Sequence, residues 1–172
     1  MIDRLRQIIR DVPDFPKPGI VFKDITTLLA EPETFKRAID LLAERYSDKG
    51  IDKVIGVESR GFIFGPAVAY LIGAGFVPVR KPGKLPAETI SIEYELEYGT
   101  DTLEMHRDAL KPGEKVIIID DLIATGGTAA AVAEMVGNLG AELVEMAFLI
   151  ELTFLEPRKK LEGLPVFTII KF

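Results

Sequence analysis

Apolar positions recur along this chain with two periods, and the switches between them set out its elements. From Asp3 to Val12 charged and apolar residues interleave at helical spacing, which predicts a first amphipathic helix. The DFPKPG stretch that follows forces an extended or turning path, and a short strand is expected around Ile20–Phe22. Pro32–Tyr46 carries Phe35, Ala38, Ile39, Leu42 and Ala43 on one face and reads as a helix. Val54–Val57 is a strand. Ser59 is suited to cap a helix in which Phe62, Ala67, Val68 and Leu71 pack inward, and Pro66 is expected to open the helix proper. Strands are predicted at Phe76–Arg80, at Glu88–Tyr94 and Thr102–His106 around a flexible segment, and at Lys115–Ile119, Leu143–Glu151 and Val166–Lys171. A helix is predicted over Ala129–Leu139. Strands separated by helices specify an α/β fold with a central, mainly parallel sheet. No linker or internal repeat divides the chain, so a single domain spanning residues 1–172 is expected.

The densest chemistry lies in Val116–Thr128, VIIIDDLIATGGT. Its β-branched run has the length and residue type of a strand buried on both faces, so the residues after it sit at the carboxyl edge of the sheet, where open α/β sheets bind ligands. Ala124, Thr125, Gly126, Gly127 and Thr128 then form a small-residue turn into a helix. Backbone amides at a helix N-terminus attract an anion, glycine leaves room for it, and the two threonines add hydroxyl donors. Asp120 and Asp121 repel phosphate but accept hydrogen bonds from hydroxyls or sit near a cation. A phosphorylated sugar fits the whole pattern. The turn lacks both the Gly-Lys-Ser/Thr ending of a nucleotide-triphosphate loop and the G-x-G-x-x-G of a dinucleotide site.

Three further segments carry charge at predicted strand ends. In Gly56–Pro66, Glu58, Ser59 and Arg60 follow a strand, and the arginine fork suits a phosphate; a surface pair between Arg60 and Glu58 is the alternative. In Val79–Pro86, Arg80, Lys81 and Lys84 gather around a proline-glycine turn, as counter-charge for a diphosphate or as a solvated basic loop. Ser91–Thr102 reads either as a lid that excludes water or as a solvated edge hairpin.

Composition narrows the class. With 172 residues, 48% of them hydrophobic, the chain has enough apolar surface for its own core. There are 21 basic and 27 acidic residues with no basic tract, which argues against a nucleic-acid partner. Cysteine is absent and histidine occurs once, so thiolate chemistry, disulfides and a histidine-rich metal cage are excluded. The N-terminal segment lacks a signal-peptide core and no apolar run reaches membrane length, so a cytoplasmic protein without a membrane partner is expected.

In this order, and over nearly the whole chain, the segments resemble the adenine branch of the type I phosphoribosyltransferase family. The resemblance implies a small N-terminal hood contributed by residues 1–30 and a purine-salvage reaction in which adenine and 5-phosphoribosyl diphosphate give AMP and pyrophosphate. It implies that Asp120 and Asp121 hold the ribose hydroxyls near the cation-like transition state. The Ala124–Thr128 loop anchors the 5-phosphate. Arg60, Arg80, Lys81 and Lys84 take pyrophosphate beside the Glu58–Ser59 loop, where a non-proline cis bond precedes Ser59. Glu97 of the Glu97-Tyr98-Gly99 motif exchanges a proton with the purine. Main-chain groups of Val21 and Lys23 meet the adenine edge, and Leu152 lies against the ring. Magnesium is expected on the diphosphate and water rather than in a protein cage, and a homodimer is implied. Two positions depart from the family's usual residues: Glu58 stands for Asp, and Lys23 for Arg. A transferase for another base, or a non-catalytic regulator that binds phosphoribosyl diphosphate, is the alternative.

Overall fold

The computed structural model describes residues 2–95 and 99–172. Five parallel strands form the central sheet: β3 (Lys53–Val57), β4 (Gly75–Val79), β7 (Lys115–Ile123), β8 (Glu142–Glu151) and β9 (Val166–Lys171), in the order β4-β3-β7-β8-β9. The chain leaves β3 through helix α4 (Gly61–Ile72) to β4 on one side, and later returns to place β7 on the other side. Reversal of direction on the two sides of β3 opens a crevice at the carboxyl ends of β3 and β7, the place where such sheets bind ligands.

One apolar layer packs α4 and α3 (Pro32–Glu44) against one face of the sheet, and α5 (Gly127–Asn138) covers the other. Ile117 and Ile119 enter the first layer while Val116 and Ile118 enter the second, so β7 is apolar at consecutive positions because both its faces are buried. β5 (Thr89–Glu95) and β6 (Thr100–His106) form a separate antiparallel hairpin, joined to the end of β4 by a bridge between Arg80 and Glu104.

Several boundaries differ from those read in the sequence. The first helix α1 stops at Ile8, and Arg10–Pro13 becomes strand β1, paired antiparallel with β2 (Val21–Asp24). Cross-strand ion pairs Arg10–Asp24 and Lys23–Asp11 favour that pairing over one more helical turn. A short helix α2 (Thr26–Ala30) had no clear periodic signal; the Asp24 carboxylate accepts the Thr26 amide at its start. Helix α4 begins at Gly61, not Pro66, with Phe62 and Ile63 donating to the carbonyls of Ser59 and Arg60. These bonds secure the first turn, so the donor that Pro66 lacks does not end the helix. Strand β7 runs on past Ile119 to Ile123 and carries both aspartates within it.

At the opposite side of the molecule from the crevice loops, α3 is clamped to β8. The Glu145 carboxylate accepts Arg45 Nε and Nη2 at 2.5 and 2.7 Å and the Tyr46 hydroxyl at 2.7 Å. Burial alone would raise this carboxyl, but the three donors outweigh it and hold it below the ordinary glutamate range. A carboxyl depressed in the folded state lends stability above its unfolded titration and loses it as pH falls through the native one. Glu145→Gln is therefore expected to lower unfolding stability by about 2 kcal/mol at neutral pH. Urea unfolding across an acid series should show the gap between parent and variant narrowing as pH falls.

Candidate active site

The β7–α5 turn is shaped by contacts that tolerate little side chain. Gly126 has φ +86°, and a Cβ there would stand 2.8 Å from the Pro157 carbonyl oxygen. Glycine thus meets both a torsional and a packing demand. Residues 122–129, with Asp120, Val57, Ile118 and Phe148, enclose a pocket of about 110 Å³ at the N-terminus of α5. The first amides of a helix lack intrahelical acceptors and point outward, so this pocket presents positive partial charge to a group of phosphate size.

A second, strongly polar cavity of about 330 Å³ adjoins it and shares Val57, Asp120, Leu122 and Thr128. Glu58, Ser59, Arg60, Lys81 and Tyr94 complete its wall together with Asp121 and Leu103. Asp120 lies at the junction of the two cavities, close enough to α4 that a Cβ on Gly61 would stand 3.0 Å from its Oδ1. Asp121 is almost fully buried, and its Oδ2 faces Arg60 Nε at 2.7 Å as an ion pair without hydrogen-bond alignment. Desolvation first, and Asp121 second, push the Asp120 carboxyl well above its ordinary range. Desolvation also raises Asp121, against the pull of Arg60 and a hydrogen bond from Asp120.

The positive groups carry their own anions. Glu58 accepts the Lys81 amide at 2.9 Å and the Lys84 ammonium, and lies 3.4 Å from Arg80 Nε. Burial would raise this carboxyl, yet these cations hold it below the ordinary range. Arg60 does not pair with Glu58; it turns to Asp121 and sits over the Phe22 ring at 5.1 Å. The peptide bond between Glu58 and Ser59 is cis, as the resemblance implied.

A third pocket, of about 690 Å³ and largely apolar, opens between the hood and the segment after β8. Val21, Lys23, Leu152 and Thr125 line it, so the sequence-predicted base residues and one residue of the β7–α5 turn meet there. Lys23 pairs with Asp11 at 2.6 Å and lies 4.0 Å from the centre of the Phe172 ring. Sequence reasoning missed Phe154, Leu155 and Phe172 in this wall, because no periodicity marks short 3-10 turns or a last residue as pocket lining. It also missed Tyr94 and Asp101, whose alternation along the hairpin was the available signal. Glu97 and Tyr98 lie outside the described residues.

Residues 24–167 match the model of the phosphoribosyl transferase domain. The chain belongs to the phosphoribosyltransferase family. An adenine phosphoribosyltransferase of Geobacter metallireducens is 63% identical over 99% of this chain and 100% of its own length. The crystal structure of adenine phosphoribosyltransferase from Thermoanaerobacter pseudethanolicus superposes with a TM-score of 0.97 at 52% identity, covering 100% of both chains. The Saccharomyces cerevisiae enzyme, solved with an imino-altritol bisphosphate and adenine, gives a TM-score of 0.91 at 45% identity and covers 98% of this chain and 97% of its own. The type I phosphoribosyltransferase architecture, with a parallel five-stranded sheet between helices, is the one described above.

A raised carboxyl binds its proton more tightly in the folded chain, so the stability it lends is present at low pH and lost as pH rises through its native titration. An amide at position 120 has no charge to bury. Asp120→Asn is therefore expected to raise the thermal midpoint by about 2 °C or more in alkaline buffer, with the advantage shrinking toward acid pH. Scanning calorimetry at several pH values measures it.

Proposed function

We propose that the chain transfers the phosphoribosyl group of 5-phosphoribosyl diphosphate to adenine, giving AMP and pyrophosphate in purine salvage. The observation that carries this reading is that the three cavities are contiguous and chemically distinct: a helix-terminus pocket, a charged cavity with two aspartates, and an apolar slot under the hood. The 5-phosphate sits on Ala124–Thr128. The ribose hydroxyls meet Asp120 and Asp121. Ser59, Arg60, Arg80, Lys81 and Lys84 face the diphosphate, with Glu58 holding the cations in place, and adenine lies against Leu152 beside Val21 and Lys23.

In the reaction the adenine N9 lone pair forms a bond to ribose C1 as the C1–O bond to the diphosphate breaks, and that electron pair leaves with pyrophosphate. Positive charge that develops on the ribose faces the aspartate pair, which is pre-placed and shielded from bulk water. Glu97 takes the N9 proton, and Tyr98 serves with it as a substrate-binding residue. Among the described residues no three carboxylate or histidine side chains converge as a metal cage. The two aspartates at the cavity nevertheless suit a magnesium ion carried mainly by diphosphate oxygens and water, which would supply neutralising charge to the leaving group.

A homodimer accompanies this reading. The groove between α3 and α4, of about 480 Å³, is walled by Phe35, Ile39, Ala67, Tyr70 and Leu71, and Tyr70 is 86% exposed. We place the second copy there. Among the described residues no helix is long and apolar enough to cross a membrane, and we place the enzyme in the cytoplasm.

An initial-rate assay with 5-phosphoribosyl diphosphate, magnesium and a panel of bases is expected to yield nucleotide with adenine far faster than with hypoxanthine, guanine or orotate; no nucleotide with any base rejects the reading. Glu97→Gln is expected to cut kcat by about a hundredfold while leaving AMP binding near its parent value. An unchanged kcat removes Glu97 from proton transfer. In sedimentation, Tyr70→Glu is expected to shift a dimer toward monomer.

A further inference from the structure

The β5–β6 hairpin brings to the diphosphate side of the site a carboxylate for which the reaction itself has no use. Tyr94 and Asp101 are register partners across the hairpin, so their side chains leave the same face. That face lies over the start of α5: a Cβ on Gly127 would stand 3.5 Å from the Tyr94 ring. From there a polar path crosses the site. The Thr128 hydroxyl donates to the Tyr94 oxygen at 3.3 Å, the Tyr94 hydroxyl donates to Asp101 Oδ2 at 3.3 Å, and the Lys81 ammonium donates to the same oxygen. Asp101 Oδ1 accepts the Thr102 amide at 2.8 Å, which fixes the carboxylate from its other side.

Lys81, Tyr94 and Thr128 are walls of the charged cavity, and Asp101 bonds to two of them, Lys81 and Tyr94. A diphosphate entering that cavity meets an ammonium already engaged by a carboxylate. It must share or displace that partner, and it feels the repulsion of the Asp101 charge as well. The side chains of Lys81 and Asp101 are 39% and 28% exposed, so the pair is partly solvated and its exchange for another anion is easily reversed.

We propose that Asp101 is the resting counter-ion of Lys81 and sets how tightly the chain holds a diphosphate. It occupies the ammonium in the free enzyme, yields it to the incoming diphosphate and reclaims it as pyrophosphate leaves. The proposal rests on the reading of Lys81 as a diphosphate ligand given above. Asp101 is a positioning residue: it touches Lys81, not the reacting atoms. Its role predicts a gain of affinity on removal, which loss of a purely structural contact does not produce.

Asp101→Asn keeps an oxygen for the Thr102 amide and removes the charge. The KM for 5-phosphoribosyl diphosphate and the inhibition constant of pyrophosphate are both expected to fall roughly two- to fivefold, the range set by a partly exposed ion pair. AMP, which has no diphosphate, should bind as before. Thermal denaturation checks that the variant is folded, and Asp101→Ser serves in its place if it is not. Unchanged or weaker pyrophosphate binding in a folded variant overturns the proposal. Lys81→Ala separates it from the reading beneath: this variant should weaken pyrophosphate binding, and Asp101→Asn should have no further effect in its background. Pyrophosphate binding that survives Lys81→Ala unchanged refutes Lys81 as a ligand. Weakened binding there with no tightening in Asp101→Asn refutes the counter-ion role alone.

Discussion

Strand β7 pairs in parallel with β3 over Lys53–Gly56 against Val116–Ile119, and everything chemical in this molecule depends on that pairing. It brings two strand ends together at the point where the chain turns to opposite sides of the sheet, so the turn before α4 and the turn before α5 diverge and leave a crevice between them. The pairing is secured by apolar side chains buried on both faces, chiefly Val54, Ile55 and Val116 through Ile119. At Asp120 and Asp121 the sequence changes from apolar to acidic while the strand continues. The sheet thus fixes two carboxylates with the rigidity of a core strand, rather than the looseness of a loop.

Electrostatic economy marks the rest of the site. Arg60 faces Asp121, Lys84 and the Lys81 amide face Glu58, and the Lys81 ammonium faces Asp101. Each cation read from the sequence as a phosphate ligand is already matched with a carboxylate. The charged cavity is thereby kept from accumulating unscreened positive charge. The binding of a polyanion becomes an exchange of partners, whose cost is far smaller than desolvating bare charges. Burial makes the Asp120–Asp121 pair the exception, since desolvation raises both carboxyls against the pull of Arg60.

How far the sequence revealed this follows from the range of each signal. Val54–Val57 and the VIII run are locally decisive, because consecutive β-branched residues suit a strand buried on both faces. The ATGGT turn announced itself through residue types whose torsional freedom and hydroxyls have few other uses in that combination. By contrast, the pairing of Arg10–Pro13 with β2 depends on ion pairs between residues more than ten positions apart, and a local helical pattern concealed it. The Arg60–Asp121 pair was hidden for a similar reason: the two residues are far apart in sequence, and only the placement of the start of α4 beside β7 brings them together. Phe172 joined the apolar pocket under the hood only through the parallel register of β9 with β8, which no periodicity records. The hydrophobic pattern thus specified the scaffold and the turn residues marked the pocket at the start of α5, while the ion pairs between distant residues emerged only from tertiary structure.

The central claim is that one crevice holds a nucleoside monophosphate and a pyrophosphate side by side. Calorimetric titration in the presence of magnesium tests it: with AMP saturating the chain, pyrophosphate is expected to bind at one site per chain and to slow AMP release. Pyrophosphate that displaces AMP, or that binds only when AMP is absent, contradicts the account.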